Sequence, residues 1–380
     1  MPERVLILAS RFPWPVVSGD RIRTLAWLEA LGDRADVTLV APPGEVPEGA
    51  PRLRLVAAGS SAAALARAVW HTVAEGLPAT ALLAAGRGWA AALESAEREG
   101  GPFDAAVVLL ARLDPWVFSR VHARRLVFDA IDSLAANLDA RARAARGPTR
   151  WFWAGEARRT SRLERDAARR YDRVVVVAEA EREAFGERAS AVFHGVALQP
   201  AGATRRDLDV GFWGRLAYFA NRDAAEFLLT EIWPRIRAAR PGATLVIAGA
   251  DAPAFVRRAH GRDGITVVSP MEDRGALLRR VRVALLPLRF GTGQSNKALE
   301  AGEASCALVA TPETVRGLDA VAGEAAIARE PSALADHVLA LLSNPAGAGE
   351  RGRRLRNVVE REYSREQACE RLAALALGPD

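Results

Sequence analysis

A short stretch before residue 301 combines glycine, small polar residues and one lysine in an order suited to holding a phosphate. Residues 286–301 read LPLRFGTGQSNKALEA. We predict a strand that ends at Pro287, tight backbone turns at Gly291 and Gly293, and a helix that starts near Ser295. A helix N-terminus presents unpaired N–H groups and a partial positive charge. The segment therefore predicts an anion site.

Lys297 falls in the first turn of that helix, where the helix dipole disfavours a cation unless an anion lies beside it. It is the only lysine among 52 lysine and arginine residues. An ammonium and a guanidinium bind phosphate differently, so a single lysine here favours a functional role. The alternative is a lysine on a solvated surface. Glu300, one turn on, is interpreted as a hydrogen-bond partner for a ribose diol or as an exposed i,i+3 partner of Lys297.

Two carboxylates follow another apolar run, in Phe128-Asp-Ala-Ile-Asp-Ser133. Asp132 is interpreted as orienting or deprotonating an acceptor hydroxyl, with Asp129 beside it. Alternatively, one of the two only caps the next helix, a role that Ser133 also suits. No histidine lies in this loop; the five histidines are His71, His122, His194, His260 and His337.

Short apolar runs alternate with longer amphipathic stretches along the chain, and the pattern restarts near residue 210. Continuous apolar runs are typical of parallel strands buried on both faces. The first set of predicted strands is Val5–Ala9, Val37–Val40, Ala105–Leu110, Leu126–Phe128 and, closing the set, Val174–Val177. The second set is Val210–Phe212, Thr244–Ala248, Ile265–Val268, Val283–Pro287, Leu308–Thr311 and Ile327. Helices are predicted at Ile22–Leu31, Ala224–Ala239 and Ser364–Leu377.

These elements predict an α/β protein with two doubly wound, Rossmann-like domains and a ligand cleft between the carboxyl ends of their sheets. A length of 380 residues also favours two domains. We place the N-terminal domain at residues 1–195 and the second domain at residues 196–363. Residues 364–380 form a separate helix. The boundary lies in the polar stretch His194–Asp209.

Composition excludes several classes of protein. Hydrophobic residues make up 50% and charged residues 26%, as in globular proteins. The net charge of +6 is nearly balanced and argues only weakly for nucleic acid. Cys306 and Cys369 are expected to be reduced, structural thiols. No apolar run is long enough to span a membrane, and the N-terminus does not resemble a signal peptide, so we expect a cytoplasmic protein.

Residues 141–173 carry 11 arginines against four acidic residues, with Trp151, Phe152 and Trp153 among them. Three interpretations stay open. The segment is a solvated basic helix beside the cleft, a surface for an anionic lipid headgroup or polyprenyl-diphosphate acceptor on the inner face of the membrane, or a nucleic-acid surface. No recognised nucleic-acid module accompanies the charge, so nucleic acid is not expected as a partner.

The loop GTGQSNKALEA resembles the donor-binding loop of GT-B glycosyltransferases of family 4. It is most similar to a subgroup of sugar transferases associated with exopolysaccharide and exosortase systems. Three other stretches agree with this resemblance: residues 12–24, residues 128–133 and residues 212–223. The terminal Tyr363-Ser364 and its following helix resemble the element that crosses back to the N-terminal domain. The resemblance covers essentially the whole chain.

The resemblance implies transfer of a sugar from a nucleotide diphosphate, UDP- or GDP-linked, to an acceptor hydroxyl, with retention at the anomeric carbon. No metal and no cofactor is implied. The acceptor is a glycan, a lipid-linked molecule or a small molecule, in cell-surface glycan or glycoconjugate synthesis. Carried over by position, the donor site comprises Gly19, Asp20, Arg215, Asn221, Gly293, Ser295, Asn296, Lys297 and Glu300. Arg215 and Lys297 contact the diphosphate and, with Asp132, form the catalytic set. Asp129 and Asp132 lie on the acceptor side.

Two positions depart from the wider family. Thr292 stands where a first glutamate is usual, and Asn221 stands where a lysine is usual. Lys297 is interpreted as supplying the missing charge. Two alternatives remain: a catalytically inactive GT-B partner or scaffold module, which these departures favour, and a nucleotide-sugar 2-epimerase of the same fold.

Overall fold

The computed structural model describes residues 2–16, 18–59, 62–84, 88–198, 205–290 and 295–378. Contacts divide the chain into two units. Unit 1 comprises residues 1–195 and 365–380, and unit 2 comprises residues 196–364.

Unit 1 contains a parallel sheet whose seven strands, within the described residues, have the order β3-β2-β1-β4-β5-β6-β7. The strands are β1 (Glu3–Leu8), β2 (Ala35–Ala41), β3 (Arg54–Ala57), β4 (Phe103–Leu109), β5 (Ala123–Ile131), β6 (Arg173–Val176) and β7 (Ala189–Ala191). The helices are α1 (Gly19–Leu31), α2 (Ala62–Ala74), α3 (Trp89–Gly100), α4 (Asp114–Val117), α5 (Leu134–Ala144), α6 (Pro148–Arg170) and α7 (Arg182–Phe185).

Alternate residues of β1 enter two hydrophobic cores. Val5 and Ile7 pack in the core that includes α1, whereas Leu6 and Leu8 pack in the core that includes α3 and α6. Both faces of this strand are buried, which explains its unbroken apolar run. The order β3-β2-β1-β4 reverses between β1 and β4, and ligands of such sheets bind beyond the strand ends at this switch point.

Unit 2 repeats the arrangement, with the sheet order β10-β9-β8-β11-β12-β13. Its strands are β8 (Leu208–Trp213), β9 (Leu245–Ala248), β10 (Ile265–Val268), β11 (Val281–Leu286), β12 (Ala307–Ala310) and β13 (Ala326–Ile327). Its helices are α8 (Phe219–Phe227), α9 (Trp233–Ala239), α10 (Ala254–Ala259), α11 (Arg274–Leu278), α12 (Asn296–Glu303), α13 (Asp319–Glu324), α14 (Pro331–Ser343) and α15 (Pro345–Glu362). A π-helical turn joins α8 to α9. The switch point here lies between β8 and β11.

The last helix, α16 (Arg365–Leu377), returns to unit 1 and packs against α1. Leu372, Ala373 and Ala376 enter the same core as Val5 and Ile7.

The two Rossmann-like sheets confirm the predicted fold class. The prediction that Val174–Val177 closes the first sheet is wrong, because β7 pairs with β6 beyond it. β3 at the opposite edge was also missed. Both missed strands are short edge strands, and β3 is only partly buried. No described helix meets the length and apolarity that crossing a membrane requires.

Candidate active site

Lys297 lies directly over the end of β8 in unit 2. A Cβ atom placed on Gly214 would stand 2.7 Å from Lys297 Cε, 3.4 Å from its Nζ and 3.0 Å from Asn221 Nδ2. Gly214 also has φ +143°, a conformation that L side chains rarely adopt. Only glycine at this position leaves room for the lysine. The sequence prediction that Lys297 stands in the first turn of a helix is confirmed, since α12 begins at Asn296.

A second close approach fixes this corner of the sheet. A Cβ atom on Gly249, after β9, would stand 1.7 Å from the carbonyl oxygen of Gly214. Gly214 N donates to Ala248 O at 3.0 Å. The loops after β8 and β9 therefore touch through backbone alone.

The Lys297 ammonium makes no hydrogen bond or ion pair with the residues that the structure describes. Burial lowers the pKa of Lys297, and the nearby Glu300 carboxylate acts in the opposite direction. Ser295, at the N-cap of α12, has a buried Oγ without a hydrogen bond in the described structure. A desolvated cation and an unused hydroxyl at a helix N-terminus are the groups that an anion would satisfy.

Glu300 is held from two sides. Its Oε2 accepts a hydrogen bond from Trp213 Nε1 at 2.6 Å, and its Oε1 accepts one from Arg274 at 2.7 Å. Trp213 is buried at the end of β8, whereas the Arg274 side chain is about half exposed. A carboxylate has about four lone-pair positions, so two remain for a ligand. Glu300 is not paired with Lys297.

Arg215 and Asn221 shape the loop after β8. Arg215 Nε donates to Asp251 Oδ2 at 2.9 Å in an exposed ion pair. Asn221 is buried, and its Nδ2 donates to the Arg215 carbonyl at 2.8 Å. Asn221 thus holds the backbone of the loop that carries Arg215.

Three of the predicted residues lie outside the described residues: Gly291, Thr292 and Gly293. In unit 2 the structure brings together Lys297, Asn221 and, through Trp213, Glu300.

In unit 1, Gly19 and Asp20 begin α1 at the switch point. Asp20 Oδ1 accepts from Ser18 Oγ at 2.5 Å, and Oδ2 lies 3.3 Å from Arg11 and 3.5 Å from Arg112. Arg112 follows β4, and its side chain is about nine-tenths buried. Its Nε has no hydrogen-bond partner in the described structure. Three charged side chains from the segments that follow β1 and β4 therefore meet here.

Asp132 follows β5 at the same edge. Burial raises the pKa of Asp132 to about 6, and the nearby Arg112 partly opposes that shift. Asn137 Nδ2 donates to Asp132 Oδ2 at 3.0 Å. The neighbouring Ser133 caps α5, because its Oγ accepts from Ala136 N at 3.0 Å. The cap is therefore the serine and not one of the aspartates.

Asp129 has a different environment. Its side chain is completely buried and accepts hydrogen bonds from Arg23 Nε and Trp27 Nε1, both at 2.6 Å, and from Ile131 N at 2.9 Å. Arg23 also donates to Val192 O at 2.7 Å. These contacts tie α1 to β5. The Asp129 carboxylate has no exposed surface and accepts from three donors in this structure. Its position therefore suits a structural role, in which it holds α1 against the end of β5.

Glu164 of α6 supports the start of α5. It accepts from Ser133 Oγ at 2.9 Å and from Ala135 N at 3.2 Å. Burial raises the pKa of Glu164 to about 7.

Cys306, Cys369 and His194 have buried or partly buried side chains. Both cysteines are free thiols. Burial raises the pKa of Cys306 to about 11. Burial, with Arg23 and Arg365, lowers the pKa of His194 well below its ordinary value, so this histidine stays neutral. Within the described chain, no three metal-ligating side chains cluster.

Sequence reasoning missed Arg112, Trp213 and Arg274. Arg112 is one of many arginines, and nothing in its local sequence marks it. Trp213 stands two residues before Arg215, and a tryptophan ending a strand beside a glycine was the available signal. Arg274 reaches Glu300 from α11, a contact that only the fold reveals.

Residues 207–344, all in unit 2, match the family model described as "Glycosyl transferases group 1". No match is found among curated proteins.

Solved structures resemble the whole chain at low identity. TarM superposes with a TM-score of 0.73 at 11% identity, covering 99% of each chain. Sucrose-phosphate synthase from Thermosynechococcus elongatus gives 0.72 at 15% identity and 98% coverage of each chain. Anabaena HepE, solved in complex with UDP, gives 0.65 at 11% identity and 98% coverage of each. The chain therefore has the GT-B fold, and residues 207–344 of its second unit match the glycosyl transferases group 1 model.

Proposed function

We propose that this protein is a glycosyltransferase that moves a sugar from a nucleotide-diphosphate donor to an acceptor hydroxyl with retention of configuration and without a metal ion. The observation that carries the proposal is Lys297. A partly buried ammonium with no described partner, at a helix N-terminus and a switch point, is the electrostatic complement of a diphosphate. The family-model match over residues 207–344 supports the same reaction class.

The leaving diphosphate needs its developing charge stabilised. Lys297, Ser295 Oγ and the first amides of α12 supply positive charge and hydrogen-bond donors on one side. Arg215 supplies a second cation when its guanidinium leaves the ion pair with Asp251 and binds a phosphate oxygen instead. That exchange costs little, since exposed ion pairs contribute about 0–1 kcal/mol.

Glu300 binds the ribose diol through the two lone-pair positions that Trp213 and Arg274 leave open. These two donors fix its side chain before the nucleotide arrives, which reduces the conformational entropy lost on binding.

Asp132 acts on the acceptor side as a base. With a pKa of about 6 it is mostly ionised at neutral pH, so it can take up a proton from a hydroxyl. Arg112 stabilises the charged form. Gly19, at the start of α1, lets the backbone approach the donor phosphates, and Asp20, whose carboxylate is paired with Arg11 and Arg112, belongs to the donor site.

The donor sugar is linked to UDP or GDP. The acceptor is a substrate of cell-surface glycan synthesis of the exopolysaccharide type. UDP is favoured by the solved complexes, since HepE was solved with UDP-glucose and S. aureus TarM with UDP and alpha-GlcNAc-glycerol.

The first test is thermal unfolding with UDP, GDP, CDP, dTDP and ADP, on the wild type, Lys297→Ala and Lys297→Arg. A ligand at 100 times its Kd stabilises by about 2.7 kcal/mol. We expect one nucleotide to raise Tm in the wild type but not in Lys297→Ala, and less in Lys297→Arg. An equal rise in Lys297→Ala would show that this lysine does not bind the diphosphate.

The second test separates the reaction from its alternatives. The wild type is incubated with the preferred nucleotide sugar, an acceptor mixture and a chelator, and the products are analysed by NMR. A product that keeps the donor's anomeric configuration supports the proposal. A sugar altered at C2 would indicate an epimerase, and nucleotide binding without turnover would indicate an inactive module.

A further inference from the structure

The most exposed large apolar side chains of the described structure gather on two helices of unit 1. Trp151 has 75% of its surface exposed, Trp70 has 71% and Phe152 has 51%. Leu65 and Val69, one turn apart on α2, are also nearly half exposed. Large apolar patches on a soluble surface usually mark an interaction site.

One short turn of the chain contacts both helices. The short turn at residues 79–83 packs against both α2 and α6. Ala79 N, at the start of that turn, donates to Glu156 Oε2 of α6 at 2.7 Å. Glu156 stands about one turn after Trp151 and Phe152, so the turn at residues 79–83 links the C-terminal end of α2 to the aromatic end of α6.

A stripe of arginines continues from Trp151 along the solvent face of α6. At 3.6 residues per turn, Trp151, Arg158, Arg162 and Arg169 share the helix face opposite the packed residues Thr160 and Ala167; these four side chains are exposed, and the two packed residues are buried. Arg158, Arg162 and Arg169 make no ion pair with the residues that the structure describes. This row of charge therefore meets solvent uncompensated.

A helix with aromatic residues at one end and arginines along one face suits a lipid surface, which offers both an apolar acyl-chain region and charged headgroups. Tryptophan and phenylalanine enter the boundary between headgroups and acyl chains, and arginines pair with headgroup phosphates. A nucleic acid would match the arginines but would leave the apolar residues of α2 exposed.

We propose that the exposed faces of α2 and α6 bind an anionic lipid bilayer, which brings unit 1 onto the membrane surface. The 23 residues of α6 lie along the surface, with Trp151, Phe152 and Trp70 inserted. This binding is independent of the transfer reaction proposed above, since it uses none of the donor or acceptor residues.

The test is co-sedimentation of the full chain with vesicles of phosphatidylcholine, with and without phosphatidylglycerol. We expect binding only when phosphatidylglycerol is present and at low salt. A surface arginine contributes about fivefold to partitioning, so R158Q/R162Q should weaken binding about 25-fold. W151S/F152S should also weaken it, and the wild type should show a blue shift of tryptophan emission that W151S reduces.

The matched control is R258Q/R262Q, which removes two exposed arginines with the same spacing from unit 2. It should leave vesicle binding unchanged, and Tm should show that all variants fold. Equal losses in both arginine pairs would overturn the proposal, because they would indicate attraction by net charge alone. Absence of binding to anionic vesicles at low salt, or binding only to an RNA oligonucleotide, would also overturn it.

Discussion

Two cations of this protein, the completely buried Arg23 and the partly buried Lys297, have opposite surroundings. Arg23 in unit 1 is completely buried, yet it donates to a carboxylate and to backbone carbonyls. Lys297 in unit 2 lies over Gly214 with no hydrogen-bond or ion-pair partner in the described structure. Both lie close to the carboxyl edge of a parallel sheet, so position alone does not distinguish them.

The difference teaches how to separate structural from functional charge. A buried charge is tolerated when its neighbours satisfy it, and it then holds the fold together. A cation that burial leaves unsatisfied lowers the stability of the unliganded protein, and an arriving anion removes that deficit. Removing the partner of Arg23 should therefore damage the fold, whereas removing Lys297 should damage only binding.

The largest effect is expected for Asp129→Ala. It leaves the Arg23 guanidinium buried without its carboxylate, which costs about 3–5 kcal/mol. Urea unfolding measures the loss. Asp139→Ala is the control, because it removes an exposed i,i+4 pair with Arg143 and should change stability by less than about 1 kcal/mol. Similar losses in both variants would contradict a special role for the buried pair.

Glu164 is an intermediate case, since it is both satisfied and desolvated. Its pKa is raised from 4.5 to about 7, so its contribution to stability is complete below pH 4.5 and disappears as the pH rises through 7. Glu164→Gln removes this titration. The difference in unfolding free energy between wild type and variant should fall by about 3 kcal/mol across that range.

Denaturant titrations of both proteins at several pH values measure that difference. Glu94→Gln, which replaces an exposed carboxyl on α3 in the same way, is the control for the substitution itself. A difference between wild type and Glu164→Gln that does not change with pH would contradict the raised pKa of Glu164.

Gly214→Ala breaks the contact that places Lys297. Its φ of +143° is unfavourable for alanine, and the new methyl group would displace the lysine. Backbone strain of this kind costs about 1–3 kcal/mol. We expect a lower Tm together with loss of the nucleotide-induced Tm shift. Gly242→Ala, which has open space around it, should retain the shift.

The smallest effect is expected for Arg274→Gln. Its ion pair with Glu300 is about half exposed on the arginine side, so stability should change by less than about 1 kcal/mol. Glu300 loses one of its two supports, and nucleoside diphosphate should bind a few-fold more weakly. Calorimetry measures this, with inorganic pyrophosphate as a comparison ligand that lacks the ribose. Equal weakening for pyrophosphate would place the effect outside the ribose contact.

Much of this fold could be predicted because parallel strands require continuous apolar runs. Val210–Phe212 and Thr244–Ala248, for example, lie within or next to β8 and β9. The short edge strands β3 and β7 could not be predicted, since one partner strand and partial burial leave little apolar signal. The position of Lys297 in its helix followed from local sequence. The partners of Glu300 and Asp129 did not, because Arg274, Trp27 and Arg23 reach them from distant elements.

The return of α16 to unit 1 has a consequence for synthesis. Val196 N donates to Tyr363 O at 2.9 Å, so the chain enters and leaves unit 2 at adjacent points. Unit 2 is thus an insert within the sequence of unit 1. The ribosome synthesises all of unit 2 before it reaches α16, the last element of unit 1. Until α16 emerges, the α1 surface that packs with Leu372 and Ala376 stays exposed. This face of the nascent N-terminal sheet is therefore apolar surface that stays exposed while unit 2 is synthesised, and such surface is prone to aggregation.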